Sequence, residues 1–88
     1  ITSRLFSGLK NLKIINLQNN KINEIPDKLL DGLIKLEEIY LKYNNIEEIP
    51  FYIFEDNKIN YIDLSYNNLT NSTLTITSTP FGYEFGYK

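Results

Sequence analysis

Apolar residues recur along the chain in pairs that are two residues apart, and the pairs themselves recur at intervals of 24 and then 23 positions. Two residues is the side-chain period of a β-strand, so both members of a pair point to the same side of a short strand. One such strand per repeat cannot bury its apolar side alone. The pattern therefore predicts stacked repeats whose strands pair in parallel around one continuous core. The pairs are Ile15 and Leu17, Ile39 and Leu41, and Ile62 and Leu64.

The residues around each pair follow a longer motif. Residues 12–26 read L-x-x-I-x-L-x-x-N-x-I-x-x-I-P, residues 36–50 repeat this motif, and residues 59–69 repeat it without the Ile-Pro continuation. The motif resembles the leucine-rich repeat family over residues 1–69, with the 24-residue period of its typical type. The resemblance implies an α/β solenoid, a right-handed curved array with short parallel strands on its concave face. Short helical, 3₁₀ or extended segments are implied on its convex face.

The repeats define the expected organisation of the chain. We expect leucine-rich repeats over residues 1–70, with a partial repeat at 1–8, repeats at about 9–32 and 33–56, and a degenerate one at 57–70. Because the first repeat is partial and no capping unit precedes it, we expect the chain to be a section of a longer array. Residues 71–88 are Ser/Thr-rich and then duplicate Phe-Gly-Tyr, which suggests a tail or a degenerate cap. An edge strand at Leu74-x-Ile76 followed by a flexible aromatic tail would fit this composition.

Each repeat carries one asparagine at the point where the chain leaves the strand. An amide side chain at that point can donate to and accept from backbone groups that the strand pairing leaves unsatisfied. We therefore expect a structural ladder of asparagines rather than a ligand site. Its members are Asn20, Asn44 and Asn67.

The return segments 5–9 and 29–33 are expected to form short helical or 3₁₀ turns on the side of the repeat opposite the strands. Phe6, Leu30 and Phe54 lie at equivalent positions in successive repeats. A stripe of large apolar residues at the repeat spacing predicts a packed spine in the core.

Side chains that alternate with the core pairs should form rows on the opposite, outward face of the sheet, which is the concave face that the resemblance implies. Four of these outward positions are tyrosines. Tyrosine offers amphipathic contact area at a low cost in side-chain entropy, which suits a protein partner. Leucine-rich repeat proteins generally recognise partners with this face. The expected binding residues are Asn16, Gln18, Asn19, Glu38, Tyr40, Lys42, Tyr43, Tyr61, Asp63, Ser65 and Tyr66.

The composition argues against several other classes of function. The chain has no His and no Cys, which removes zinc fingers, disulfide frameworks, Ser-His-Asp triads and thiol nucleophiles. Glu38 and Asp63 project from neighbouring strands, but a flat surface lacks the closed cleft that paired-carboxylate catalysis needs. A net charge of −2 argues against nucleic acid. We expect no catalytic residue, no cofactor, no metal and no transmembrane segment in these residues.

Two settings for a recognition module fit the repeats. The return segments and the 24-residue period resemble the typical subclass, which implies an extracellular or membrane-anchored receptor or adhesion protein. The 23-residue interval, the Ile-Pro turn and the lack of Cys also suit an intracellular scaffold or the regulatory array of a signalling protein, of the Ras-associated type. We expect the first setting. In a secreted chain, Asn68 and Asn71 would be acceptors for N-glycosylation.

Overall fold

A parallel sheet of four three-residue strands organises the molecule in the computed structural model, which describes residues 1–49, 59–70 and 84–86. The strands lie in the sheet in chain order, each paired in parallel with the next. This arrangement confirms the parallel stacking that the repeated apolar pairs predicted. The strands are β1 (Ile14–Asn16), β2 (Glu38–Tyr40), β3 (Tyr61–Asp63) and β4 (Glu84–Gly86).

The register of the sheet follows the repeat of the sequence. Ile15 lies opposite Ile39, which lies opposite Ile62, so the central residue of each strand occupies the same place in its repeat. The pairing continues past the strands: the Leu17 N–H donates to the Tyr40 carbonyl at 2.8 Å, and the equivalent bond one repeat later has the same length. The rows of side chains are therefore aligned from one repeat to the next.

The core lies on the inward side of this sheet. Ile39 and Leu41 are each 2% exposed, and Ile62 and Leu64 are fully buried. The apolar positions that follow each asparagine close the core from the turn side, with Ile46 fully buried. The remaining large buried residues are Ile15, Ile22, Ile25, Leu29, Leu30, Leu33, Leu36, Ile49 and Ile59.

The return segments form single turns and not continuous helices. They consist of separate turns closed by backbone bonds between residues three apart, and the residues that the structure describes contain no helix. The bonds from Leu5 N–H to Thr2 and from Leu29 N–H to Pro26 occupy equivalent positions. Glycines in the left-handed region, Gly8 at φ 85° and Gly32 at φ 77°, interrupt any continuous helical run. Of the two predicted forms, short helical turns are wrong for these segments, whereas bonds between residues three apart are those of 3₁₀-type turns.

Equivalent positions in the first two return segments have different environments. Leu33 is 1% exposed, whereas Leu9, its counterpart 24 residues earlier, is 49% exposed. Leu30 of the predicted spine is buried and Phe6 is partly buried against the same core. Phe54, the third member of that spine, lies outside the described residues.

The fourth strand lies where the sequence predicted a flexible tail. Glu84–Gly86 belongs to the duplicated Phe-Gly-Tyr segment and pairs in parallel with β3. Its backbone extends the sheet although its residues do not carry the repeat motif. The edge strand predicted at Leu74-x-Ile76 lies outside the described residues. In the described ranges, no helix is long and apolar enough to span a bilayer.

Candidate functional site

The outward face ends at a row of asparagines that hold neighbouring repeats together. The Asn44 side chain reaches back into the preceding repeat, where its Oδ1 accepts from the Asn20 N–H at 3.0 Å and the Ile22 N–H at 2.9 Å. Its Nδ2 donates to the Leu17 carbonyl at 3.0 Å and to the carbonyl of Leu41 in its own repeat at 2.9 Å. One amide group thus satisfies backbone groups on two repeats.

Asn67 makes the corresponding bonds one repeat later. Its Oδ1 accepts from the Ile46 N–H at 2.9 Å, and its Nδ2 donates to the Leu41 carbonyl at 2.9 Å and the Leu64 carbonyl at 3.1 Å. Asn20, by contrast, is exposed and donates to the Gln18 carbonyl at 3.1 Å. These bonds between repeats determine where the chain turns away from the sheet. They therefore hold the last row of the outward face in place.

Every expected binding residue on the outward face is accessible to solvent. The strand register puts Ile14, Glu38 and Tyr61 in one row and Asn16, Tyr40 and Asp63 in the next. These rows, together with the two rows that follow, define the outward face in the rest of the text. The two further rows are Gln18, Lys42 and Ser65, and then Asn19, Tyr43 and Tyr66, and all twelve side chains are exposed or partly buried.

Two tyrosines and a lysine form an ordered platform at one edge of this face. The rings of Tyr43 and Tyr66 stack with their centroids 4.6 Å apart and their planes 19° from parallel. The Lys42 ammonium lies 5.2 Å from the Tyr43 ring centroid and 5.5 Å from that of Tyr66. Stacking and the cation–π contacts limit the movement of all three side chains. The platform nevertheless leaves Tyr43 49% and Tyr66 43% exposed.

The backbone beneath the platform adopts a conformation that tyrosine disfavours. Tyr43 has φ 57° and Tyr66 has φ 58°, and Asn19 occupies the equivalent position of the first repeat with φ 61°. A left-handed conformation costs an ordinary residue about 1–2 kcal/mol, and asparagine tolerates it better. The fold requires this conformation once per repeat, so the two tyrosines occupy it at a cost in stability.

A second group of four side chains covers the centre of the outward face. Glu38 and Tyr40 lie on β2, directly opposite Tyr61 and Asp63 on β3, so that tyrosines and carboxylates alternate. The Tyr40 and Tyr61 rings are 5.6 Å apart between centroids and tilted by 49°. The Tyr40 hydroxyl donates to Glu38 Oε1, and Asp63 Oδ1 accepts from the Ser65 N–H at 3.0 Å. We call these four residues the central quartet.

The surroundings of Tyr40 in the central quartet favour its protonated hydroxyl. Its hydrogen bond to Glu38 raises the pKa of Tyr40 above the usual tyrosine value, and partial desolvation and the neighbouring negative charges raise it further. Tyr40 therefore stays a neutral donor at physiological pH. Any stability gained from this shift is fully present below the usual tyrosine pKa and is lost as the pH rises through the raised pKa.

Two further positions border the expected binding residues. The sequence already places Ile14 in the outward row of Glu38 and Tyr61, but it does not single out Glu84. Ile14 opens the first row and is 53% exposed, so it contributes apolar area next to Glu38. The register places Glu84 of β4 opposite Tyr61, a position that no repeat motif signals. Asn68 of the first glycosylation pattern is exposed, whereas Asn71 lies outside the described residues.

The chemistry available on this face is that of contact and hydrogen bonding. It combines tyrosine rings and hydroxyls, carboxylates, amides and a lysine on one rigid backbone. Within the described ranges, no group of three or more Asp and Glu residues is arranged to hold a metal ion.

The comparison with known families agrees with the geometry. A family model described as leucine rich repeat matches residues 1–46, slightly more than half of the 88 residues. No curated protein matches the chain with significant similarity. Members of this family are generally non-catalytic binding modules. The family match, the parallel strands one repeat apart and the asparagine bonds between repeats together identify the chain as a member of the leucine-rich repeat family.

Proposed function

We propose that this chain is a non-catalytic protein-recognition module that binds its partner through the outward face, the concave side of a curved, right-handed array. The observation that carries the proposal is the platform of Tyr43, Tyr66 and Lys42. Large aromatic side chains dominate binding energy where they are rigid and can be fully desolvated by a partner. Here the two rings are already stacked and held in place, so little conformational entropy remains to be lost on binding.

The backbone strain under the platform supports the same proposal. Asparagine or glycine would satisfy the left-handed position at lower cost, as Asn19 does in the first repeat. Strained residues persist where the surrounding fold determines them, and they concentrate at binding and catalytic sites. The two tyrosines give the fold exposed aromatic area at a position where stability alone favours a smaller polar residue.

Replacing both platform tyrosines by asparagine tests this proposal. We expect Tyr43→Asn with Tyr66→Asn to weaken binding by about tenfold or more, because the aromatic contact area is removed. The free energy of unfolding should stay within about 1 kcal/mol, since relief of the strained backbone offsets the lost stacking. Peptides selected from a random 12-residue phage library against the chain serve as probes. Their affinity is measured by fluorescence anisotropy and the stability by urea denaturation.

A substitution away from the outward face provides the control. Ile34 directly follows the return segment 29–33 and is 58% exposed, so Ile34→Asn removes a large exposed apolar side chain elsewhere. The proposal requires this variant to bind the selected peptides like the parent chain. Peptides that lose affinity for Ile34→Asn, and not for the tyrosine double variant, would place recognition on the return segments and overturn the proposal.

The second part of the proposal concerns the cellular location of this module. We infer an extracellular or membrane-anchored receptor or adhesion protein, because the return segments and the 24-residue period resemble the typical subclass. Asn68 is exposed and would be open to a glycan in such a protein. Antibody labelling of intact source cells tests this setting. Labelling that requires permeabilised cells would favour the alternative of an intracellular scaffold or a regulatory array.

A further inference from the structure

The central quartet of Glu38, Tyr40, Tyr61 and Asp63 contains two carboxylates. Glu38 is bonded to the Tyr40 hydroxyl and Asp63 to the Ser65 N–H. Within the described part of the chain, neither carboxylate forms an ion pair with Lys or Arg. The outward face has one basic residue, Lys42, whose ammonium lies over the rings of the platform. Among the residues that the structure describes, the quartet therefore presents two negative charges without a basic partner.

The tyrosine rings are a second feature that can bind a cation. The Tyr40 and Tyr61 rings are tilted by 49°, and each tyrosine lies opposite a carboxylate residue in the strand register. Aromatic ring faces attract a cation through the ring quadrupole. A planar guanidinium can stack on such a ring and donate to a carboxylate in two directions at once. The compact ammonium of lysine, a more strongly hydrated point charge, matches this arrangement less well.

We propose that the central quartet binds an arginine side chain of the protein partner. The inference rests on the proposed function, since it assigns the partner chemistry that the outward face selects. Glu38 and Asp63 accept hydrogen bonds from the guanidinium, and Tyr40 and Tyr61 provide the rings on which it stacks. The raised pKa of Tyr40 is consistent with this role, because the charges that hold the proton on its hydroxyl also attract a cation.

The matching test removes the two charges and keeps the fold. In Glu38→Gln with Asp63→Asn, the amide oxygens can still accept from the Tyr40 hydroxyl and the Ser65 N–H. Asn16 shows that asparagine supports this turn, because its Oδ1 accepts from the Gln18 N–H at 3.1 Å. The variant should therefore fold like the parent chain. Its affinity for an arginine-containing peptide should fall by about tenfold to a hundredfold, as expected for lost hydrogen bonds between charged groups.

A second double variant distinguishes binding of arginine at the quartet from general electrostatic attraction to an acidic protein. An acidic groove of about 450 Å³ lies on the turn side of the sheet and is lined by Asn23, Glu24, Ile25, Asp27, Glu47 and Glu48. Glu24→Gln with Glu48→Gln removes the same net charge as the quartet variant. If the quartet is the site, this control changes affinity by less than about twofold. A larger loss in the control than in the quartet variant would place the arginine in the groove and overturn the proposal.

The probes are 12-residue peptides selected from a random phage library, each synthesised with Arg, Lys or the neutral isostere citrulline at its basic position. We expect selection to enrich arginine, and the arginine peptide to bind at least tenfold more tightly than its citrulline form and more tightly than its lysine form. Equal affinity for all three, or an unchanged affinity in the quartet variant, would overturn the proposal.

The platform variant distinguishes this failure from failure of the proposed function. Peptides that depend on Tyr43 and Tyr66 but show no preference for arginine would overturn the quartet assignment and leave the recognition face standing. Peptides that bind the platform variant and the quartet variant as tightly as the parent chain would overturn both the quartet assignment and the proposed function.

Discussion

Asn44→Ala should lower the free energy of unfolding by about 3 kcal/mol. The substitution leaves the Asn20 N–H, the Ile22 N–H and the Leu17 carbonyl without their partner, whereas the Leu41 carbonyl keeps its bond from Asn67. The bonds to the Ile22 N–H and the Leu17 carbonyl are partly buried, so each of these groups costs about 1–1.5 kcal/mol when it is left unsatisfied. The bond to the Asn20 N–H is exposed and adds about 0.5 kcal/mol. Urea denaturation followed by circular dichroism measures the change.

Asn20→Ala is the internal control for this effect. Asn20 occupies the same position in the preceding repeat, but it is exposed and donates to the Gln18 carbonyl. We expect a loss of about 0.5 kcal/mol, which is the value of a single exposed hydrogen bond. Equal losses in the Asn44 and Asn20 variants would mean that the bonds between repeats contribute nothing of their own.

Leu33→Ala should also cost about 3 kcal/mol. Leu33 is 1% exposed and packs in the continuous core, so its truncation removes buried apolar surface and leaves a cavity. The loss should appear as a lower urea midpoint with an unchanged slope, because the extent of unfolding stays the same.

Leu9→Ala tests whether the repeat position or its environment determines this cost. Leu9 is the counterpart of Leu33 24 residues earlier, yet it is 49% exposed. We expect less than about 1 kcal/mol, since most of its surface is already in contact with water. A loss that matches that of Leu33→Ala would show that Leu9 is covered in solution.

Most of the sheet is predictable from the sequence because two periods agree. The two-residue spacing of Ile15 and Leu17 determines which side of the strand is inward, and the 24- and 23-residue intervals determine which residues pair. The separate turns of the return segments are not predictable in this way, because their apolar spacing fits a helix equally well. β4 is also missed, since Glu84–Gly86 joins the sheet without the motif.

The candidate site is predictable as a surface but not in its contacts. Alternation identifies which residues face outward, but the reach of Asn44 into the preceding repeat depends on the turn geometry. The left-handed backbone of Tyr43 and Tyr66 has a sequence signal only at the equivalent Asn19, because tyrosine does not favour that conformation. The position of Lys42 over both rings follows from the resulting stack.

The central claim is that the outward face of the sheet is the recognition surface. Backbone amide chemical shifts in ¹⁵N-labelled protein, measured as a selected peptide is added, test it most directly. We predict that the largest changes map to the four outward rows, and that they include Tyr40, Tyr43, Tyr61 and Tyr66. Changes concentrated in the return segments 5–9 and 29–33, with the outward rows unaffected, would contradict the account.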